Sequence, residues 1–175
     1  VRHIYEDVPN ILWLHDLHND PEVTKLSDPE YRKQFVKIVF VSEWQAQMYH
    51  LTHGIPYSEF VVIPNAIEPF DVVEKSTDDP VRIIYHTTPH RGLNSAYSVV
   101  DAICKQSLPE VHFDVFSSFG VYGWESRDEP YQKLFEMIDQ HPNMTYHGWA
   151  PNDVVRKALA ESHIFLYPST WPETS

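Results

Sequence analysis

Seven short apolar runs recur along the chain, each followed by polar residues or proline: Ile11–Leu14, Ile38–Val41, Phe60–Ile63, Arg82–Tyr85, His112–Phe116, Met144–Tyr146 and Ile164–Tyr167. They are rich in Val, Ile, Phe and Tyr and mostly do not alternate, as expected for strands covered on both faces. Between them the apolar spacing changes to that of a helix. Ala96, Val99, Val100 and Ile103 fall at i, i+3, i+4 and i+7, and Tyr131, Leu134, Phe135 and Ile138 repeat the spacing. Val154, Val155, Ala158 and Leu159 form a third stripe after Asn152-Asp153, which the pattern predicts as an N-cap pair. A further helix is predicted over Glu43 to Leu51, after Ser42. Strand and helix in this alternation predict α/β architecture: Rossmann-like parallel sheets with flanking helices, joined by right-handed crossovers.

The rhythm breaks between Asn65 and Pro80, where an acidic, proline-bracketed stretch lacks periodicity. It reads as an interdomain linker, residues 67–80, between a first block at residues 1–66 and a second at 81–175. The first block holds three of the predicted strands and the second holds four. Neither count fills a complete doubly wound domain.

Composition narrows the function classes. Hydrophobic residues make up 42% of the 175, enough for a core and too many for a disordered chain. Thirteen basic residues stand against twenty-five acidic ones, a net charge of −12. That balance argues against nonspecific nucleic-acid binding, which depends on positive charge to displace counterions. Cys104 is the only cysteine, so no intrachain disulfide forms, and a reducing compartment is expected. It stands beside the Ala96 stripe and reads as a buried structural thiol. No apolar stretch approaches the roughly 18 residues of a membrane span, and no signal peptide is visible. The chain opens on Val1, not Met, so its natural start is expected to lie upstream.

Candidate chemistry gathers where predicted strands end, the edge at which open α/β sheets bind ligands. The loop Thr87-Thr88-Pro89-His90-Arg91-Gly92 opens the Ala96 helix. Free amides and the helix dipole there favour an anion, Gly92 permits close backbone approach, and Arg91 offers a planar fork for phosphate oxygens. An ordinary turn with a solvated arginine explains the same residues as well. Dinucleotide Gly-x-Gly-x-x-Gly and Walker patterns are both absent.

His15-Asp16-Leu17-His18-Asn19-Asp20 follows the first predicted strand. Its spacing matches no zinc pattern, so a metal site is the weaker reading, and its acids also suit capping of the next turn. His15, first off the strand, has the better claim to a functional role. Gly148 and Trp149 end a strand at the same edge, where a flat ring could approach the backbone against an apolar wall. Equally, Trp149 could cover the following helix. His50 and His53 read as surface residues, and Tyr122-Gly123-Trp124 as the anchor of a loop. The closing run places Pro168, Ser169 and one carboxylate, Glu173, beyond the last predicted strand.

Taken in order, these pieces resemble the family 4 glycosyltransferases, retaining enzymes with two Rossmann-like domains in the GT-B arrangement. Leu14-His15-Asp16 is similar to the acceptor-domain His-Asp stretch, and Phe40 to Trp44 to the "VS" strand end. Val62-Ile63-Pro64-Asn65 is similar to "VIPNG", with Ala66 at the usual Gly. Arg91-Gly92 matches the Lys-Gly of the phosphate loop, and His147-Gly148-Trp149 the turn near the base. Ile164 to Glu173 resembles "v-x-P-S-x-x-E" with one extra residue.

The resemblance implies a nucleotide-diphosphate sugar as co-substrate, a glycan or lipid acceptor, and neither metal nor other cofactor. It implies catalytic roles for His15, facing the donor sugar, and Glu173, contacting the donor hexose. Donor binding would fall to Arg91, Gly92, Thr88, Gly148, Trp149 and Ser169, with Arg91 on the diphosphate, Gly148-Trp149 near the base and Ser169 shaping its loop. Thr87-Thr88 stand where the family has Gly-Arg, and the second Glu of the family's paired motif would lie beyond residue 175. The chain would then be two partial domains, a fragment of about half a family member. The implied location is cytoplasmic, extending to peripheral association with the inner face of a membrane. An inactive nucleotide-binding module, or a phosphorylase or epimerase on the same scaffold, is the alternative.

Overall fold

The computed structural model describes residues 4–5, 7–71, 73–76, 78–106 and 110–174. All seven apolar runs form strands, with ends shifted by at most two residues: β1 (Ile11–Trp13), β2 (Lys37–Phe40), β3 (Phe60–Val62), β4 (Val81–His86), β5 (Val111–Phe116), β6 (Met144–Tyr146) and β7 (Ile164–Phe165). The helices are α1 (Pro29–Arg32), α2 (Glu43–His53), α3 (Leu93–Cys104), α4 (Gln132–Asp139) and α5 (Asn152–Glu161). Every strand pairing is parallel. The chain divides into two compact units, Val1–Glu68 with Pro172–Ser175, and Pro69–Trp171.

The first unit carries a three-stranded sheet in the order β1-β2-β3. Leu14, Ile38 and Phe40 face a core completed by Val23, Leu26, Ala46, Tyr49 and Ile55. Successive residues of a strand point to opposite faces. The other face is open along the edge strands, where Ile11, Trp13, Val61 and Ile63 are exposed, while Val39 of the central strand and Val41 just after it are buried. Cover on both faces, expected from the lack of alternation, thus holds for β2 and fails at the edge strands β1 and β3.

Helix α2 starts where Ser42, in extended backbone, accepts from the Gln45 amide at 3.1 Å, and it ends at Gly54 in the left-handed conformation. Ala46, Tyr49 and His53 share its inner face, at i, i+3 and i+7. His53 is thus buried, not on the surface as its type suggests, and its ring nitrogens bond the His18 carbonyl (2.6 Å) and the Ser27 hydroxyl (2.8 Å). The Ser42 hydroxyl also donates to the Thr174 carbonyl at 2.5 Å, so the cap ties the Glu173-Thr174 segment to α2. Ser42→Ala should lower stability by about 1 kcal/mol, seen as a fall of about 2–4 °C in melting temperature for a chain of this size. An unchanged melting temperature would show that the cap contributes nothing.

The second unit holds a four-stranded sheet in the order β6-β5-β4-β7. Ile83 and Tyr85 of β4, Phe113 and Val115 of β5, and Met144 of β6 face α3 and α4. Those helices return Leu93, Ala96, Val100, Leu134, Phe135 and Ile138. Val99 and Val154, at the margins of their stripes, are exposed. Cys104 packs against this core half-buried and not fully buried as the sequence suggests, and burial pushes its thiol up from the usual range. Helix α5 begins one residue earlier than the capping reading predicts. Asn152 is already helical, Pro151 stands at the N-cap, and no side chain caps the end.

After β6 the chain reverses direction across the sheet to place β7 beside β4. With right-handed connections this puts α5 on the face opposite α3 and α4. On that face Arg82 reaches Glu161 of α5 at 3.2 Å. The reversal creates a topological switch point between β4 and β7, whose carboxyl ends open a crevice.

Candidate functional site

Strand β4 exits at the switch point into the turn predicted to bind an anion. Thr88 is 3% exposed, and its carbonyl accepts from the Tyr85 hydroxyl at 3.0 Å and the Arg91 amide at 3.2 Å. The Pro89–Arg91 turn then presents Arg91, whose Nη1 donates to the Tyr167 hydroxyl at 2.9 Å. Gly92 adopts φ 97° and caps α3 with no side-chain hydrogen bond to the first turn. The amides of that turn and the positive end of the helix dipole are thereby left for an anion.

Gly92 also meets the loop after β7. A Cβ at this position would lie 2.3 Å from the Pro168 carbonyl oxygen, so only glycine allows the two loops to meet. Ser169, next in that loop, accepts from the Trp171 amide at 3.1 Å, which fixes the loop's shape. The His90 ring stacks on Phe119 at 5.3 Å and meets the edge of Trp171 at 5.3 Å. Loops from β4, β5 and β7 are joined by these contacts.

Beside this turn a cavity of about 110 Å³ opens at the carboxyl ends of β4, β5 and β6. His86, Phe116, Ser118, Gly148, Trp149 and Asn152 are among its walls. Gly148 takes φ 67°, which turns the chain sharply after β6, and Trp149 is 56% exposed. Desolvation lowers the pKa of His86, so its ring favours the neutral form. Drug-sized ligands occupy roughly 300–1,000 Å³, and this smaller space suits a single flat ring. A larger cavity of about 520 Å³, lined by Arg82, His112 and His163, opens at the opposite, amino-terminal edge. Strand ends of that polarity are not where open sheets bind ligands.

Several residues of this neighbourhood escape the sequence reading. Asp114, central in β5 and 5% exposed, bonds Arg82 Nη2 at 3.3 Å, and His147 Nε2 lies 2.8 Å from its other oxygen. The His147 ring in turn stacks on Phe116 at 4.2 Å. An aspartate inside the apolar run of β5 is the signal that could have found this network, since buried carboxylates need partners. Ser117, buried just past the end of β5, has a hydroxyl with no hydrogen-bond partner among the described residues. Tyr122 and Trp124 are exposed and do not anchor their loop in the core. Their rings lie 5.1 Å apart, and Arg127 sits over Trp124 at 4.4 Å.

His15 and Glu173 belong to the first unit, the other predicted site residues to the second. His15 is exposed at the end of β1, its ring 6.1 Å from that of Trp13. Thr174, next to Glu173, donates from its hydroxyl to the His15 carbonyl at 3.0 Å, so the closing segment reaches the β1 exit. Asp20 accepts from the Leu17 amide at 2.9 Å, closing the turn that precedes it. Its side chain makes no cap bond to the Pro21–Ser27 turn that follows, contrary to the capping of the next turn that its position suggests. Among the described residues no group of three His, Cys, Asp or Glu side chains is placed to hold a metal ion. No helix of the described residues is long and apolar enough to cross a membrane.

No family model matches this sequence, and no curated protein matches it at a significant level. Solved structures do match. TarM aligns with a TM-score of 0.67 over 97% of this chain and 33% of its own, at 13% identity. A complex of S. aureus TarM, a mutant holding fondaparinux, alpha-GlcNAc-glycerol and UDP, aligns at 0.65, covering 94% of this chain and 33% of its own, at 13% identity. HepE from Anabaena, in complex with UDP and glucose, aligns at 0.61 over 95% of this chain and 48% of its own, at 15% identity. The chain thus spans between a third and a half of these proteins. At such identities the likeness is one of fold, and function has to be argued from the site. The fold is the mixed α/β, Rossmann-like architecture of GT-B glycosyltransferase structures, with parallel sheets and flanking helices.

Proposed function

We propose that this protein transfers a sugar from a nucleoside-diphosphate donor to a glycan or lipid acceptor with retention, as a family 4 glycosyltransferase. The observation that carries the reading is the convergence, at the carboxyl ends of the second unit's sheet, of the uncapped α3 end, Arg91 and a ring-sized cavity. The diphosphate lies on the amides of Leu93 to Ser95 and the Arg91 fork, and the base enters the cavity beside Gly148 and Trp149. Thr88 and Ser169 hold the two loops in shape. His15 and Glu173 keep the roles at the donor hexose that the resemblance gives them.

When the bond from the anomeric carbon to the diphosphate breaks, both electrons leave with the diphosphate oxygen, while the acceptor hydroxyl oxygen bonds the anomeric carbon on the same face and its proton passes to the departing diphosphate oxygen. Charge grows there, and donors already aimed at it stabilise the transition state without reorganising. Holding donor and acceptor together supplies the rest of the acceleration.

A thermal-shift panel with UDP, GDP, ADP and their sugars tests the donor half of the reading. UDP comes first because two of the similar structures contain it. At a ligand concentration of 100 times Kd, binding adds about 2.7 kcal/mol, a rise of about 5–11 °C for a chain of this size. No rise with any member at millimolar concentration would defeat the proposal for this chain.

A further inference from the structure

Asp128 is a buried carboxylate, 7% exposed, in the turn segment Glu125–Tyr131. Its two oxygens both turn toward the exit of β5. Oδ2 accepts from the Ser118 hydroxyl at 2.5 Å, and Oδ1 accepts from the Phe119 amide at 2.9 Å. Ser118 Oγ accepts in turn from the Gly120 amide at 2.8 Å. One carboxylate therefore fixes three consecutive residues through charge-assisted bonds, in a setting where a lost partner leaves polar groups unpaired.

Each of those three residues meets a different wall of the site. Ser118 lines the 110 Å³ cavity. Phe119 stacks on His90 of the anion turn, their planes 11° apart. A Cβ on Gly120 would stand 3.6 Å from the Cβ of Trp149, so the backbone there runs close against that side chain. Moving this loop moves the cavity, while Arg91 and the first turn of α3 have no bond to Asp128.

We propose that Asp128 is a positioning residue that sets which nucleobase the cavity accepts, by locking the Ser118–Gly120 loop. This rests on the reading of the cavity as the base site of a nucleotide donor. Asp128 touches no ligand itself, and its influence passes through Ser118 and Phe119. Asparagine at this position can reproduce both bonds, accepting from the Phe119 amide and donating to Ser118 Oγ, whereas alanine makes neither.

Calorimetric titration of the intact protein with UDP, GDP, ADP and inorganic pyrophosphate separates this role from a general loss of structure. Asp128→Ala should weaken the preferred nucleoside diphosphate on the order of 10- to 100-fold, the loss expected when buried polar groups shaping the site are left unpaired. The spread of affinities among the three bases should narrow. Pyrophosphate affinity should fall far less than nucleotide affinity, because the loop meets the anion turn through the Phe119–His90 stacking and not through Arg91, and Asp128→Asn should restore both the affinity and the spread. Equal losses for pyrophosphate and nucleotide, a wild-type spread in the alanine variant, or an asparagine variant that behaves like alanine would each overturn the proposal. Should Asp128→Ala not fold, Ser118→Ala removes one of the two bonds from the other side and must narrow the spread. A wild-type protein that binds pyrophosphate but no nucleoside diphosphate more tightly would remove the base-site reading and this proposal together. One that binds none of the four would remove the donor site altogether.

Discussion

Gly92→Ala should be among the most damaging single substitutions in the second unit. Two costs add at this position. A non-glycine residue in the left-handed region costs roughly 1–2 kcal/mol, and Gly92 sits at φ 97°. The new Cβ would also fall 2.3 Å from the oxygen and 2.8 Å from the carbon of the Pro168 carbonyl. Those are backbone atoms, unable to swing aside as the tip of a lysine would, so overpacking adds about 1–3 kcal/mol. A total near 3 kcal/mol lowers the melting temperature by about 6–12 °C in a chain of this size. Gly123→Ala supplies the comparison, because Gly123 has φ 69° and nothing within 4 Å of its would-be Cβ. It should carry the strain alone, about 1–2 kcal/mol. If the two variants melt together, Gly92 and Pro168 do not pack as described, and the switch-point crevice loses one wall.

That paired comparison also shows where sequence reasoning stops. All seven strands were legible because parallel strands are short β-branched and aromatic runs, and the stripes on α3, α4 and α5 were legible because helical period is a local property. Gly92 could be singled out from its place before a helix, but its reason for being glycine is Pro168, seventy-six residues later. Register decides such meetings, and register is invisible in a single sequence. The pairing Ile83↔Ile164 and Ile84↔Phe165 brings the β7 exit beside the β4 exit. From it follow the bond of Arg91 to Tyr167 and the contact of His90 with Trp171.

Asp128 shows the same limit from the other side. Ten residues beyond Ser118 in an irregular segment, it carries no motif, and only the folded loop reveals that both of its oxygens are occupied. His53 shows a different limit: its residue type points to the surface, whereas the helical period places it with Ala46 and Tyr49, and its burial follows the period.

Under the proposed sugar transfer, Arg91→Ala should lower turnover on the order of 100- to 1,000-fold, the usual consequence of removing one preorganised donor from a developing oxyanion. At 1.36 kcal/mol per factor of ten, that is about 3–4 kcal/mol of transition-state stabilisation. The fork of Arg91 is half-buried and oriented by the Tyr167 hydroxyl, so it does not have to reorganise as the diphosphate departs. Arg91→Lys should recover only part of the loss, since a lysine keeps the charge but not the planar pair of donors. Tyr167→Phe leaves the guanidinium in place and removes the group that aims it, so its effect should be smaller, about tenfold. The division between kcat and KM carries the mechanistic weight. A donor that acts on the departing diphosphate lowers kcat and kcat/KM together, whereas one that merely holds the ground-state diphosphate raises KM and spares kcat. Activity should not vanish in the alanine variant, because the uncapped amides of α3 remain aimed at the same oxygens. Wild-type turnover in Arg91→Ala would remove Arg91 from the site and leave the anion to the helix terminus.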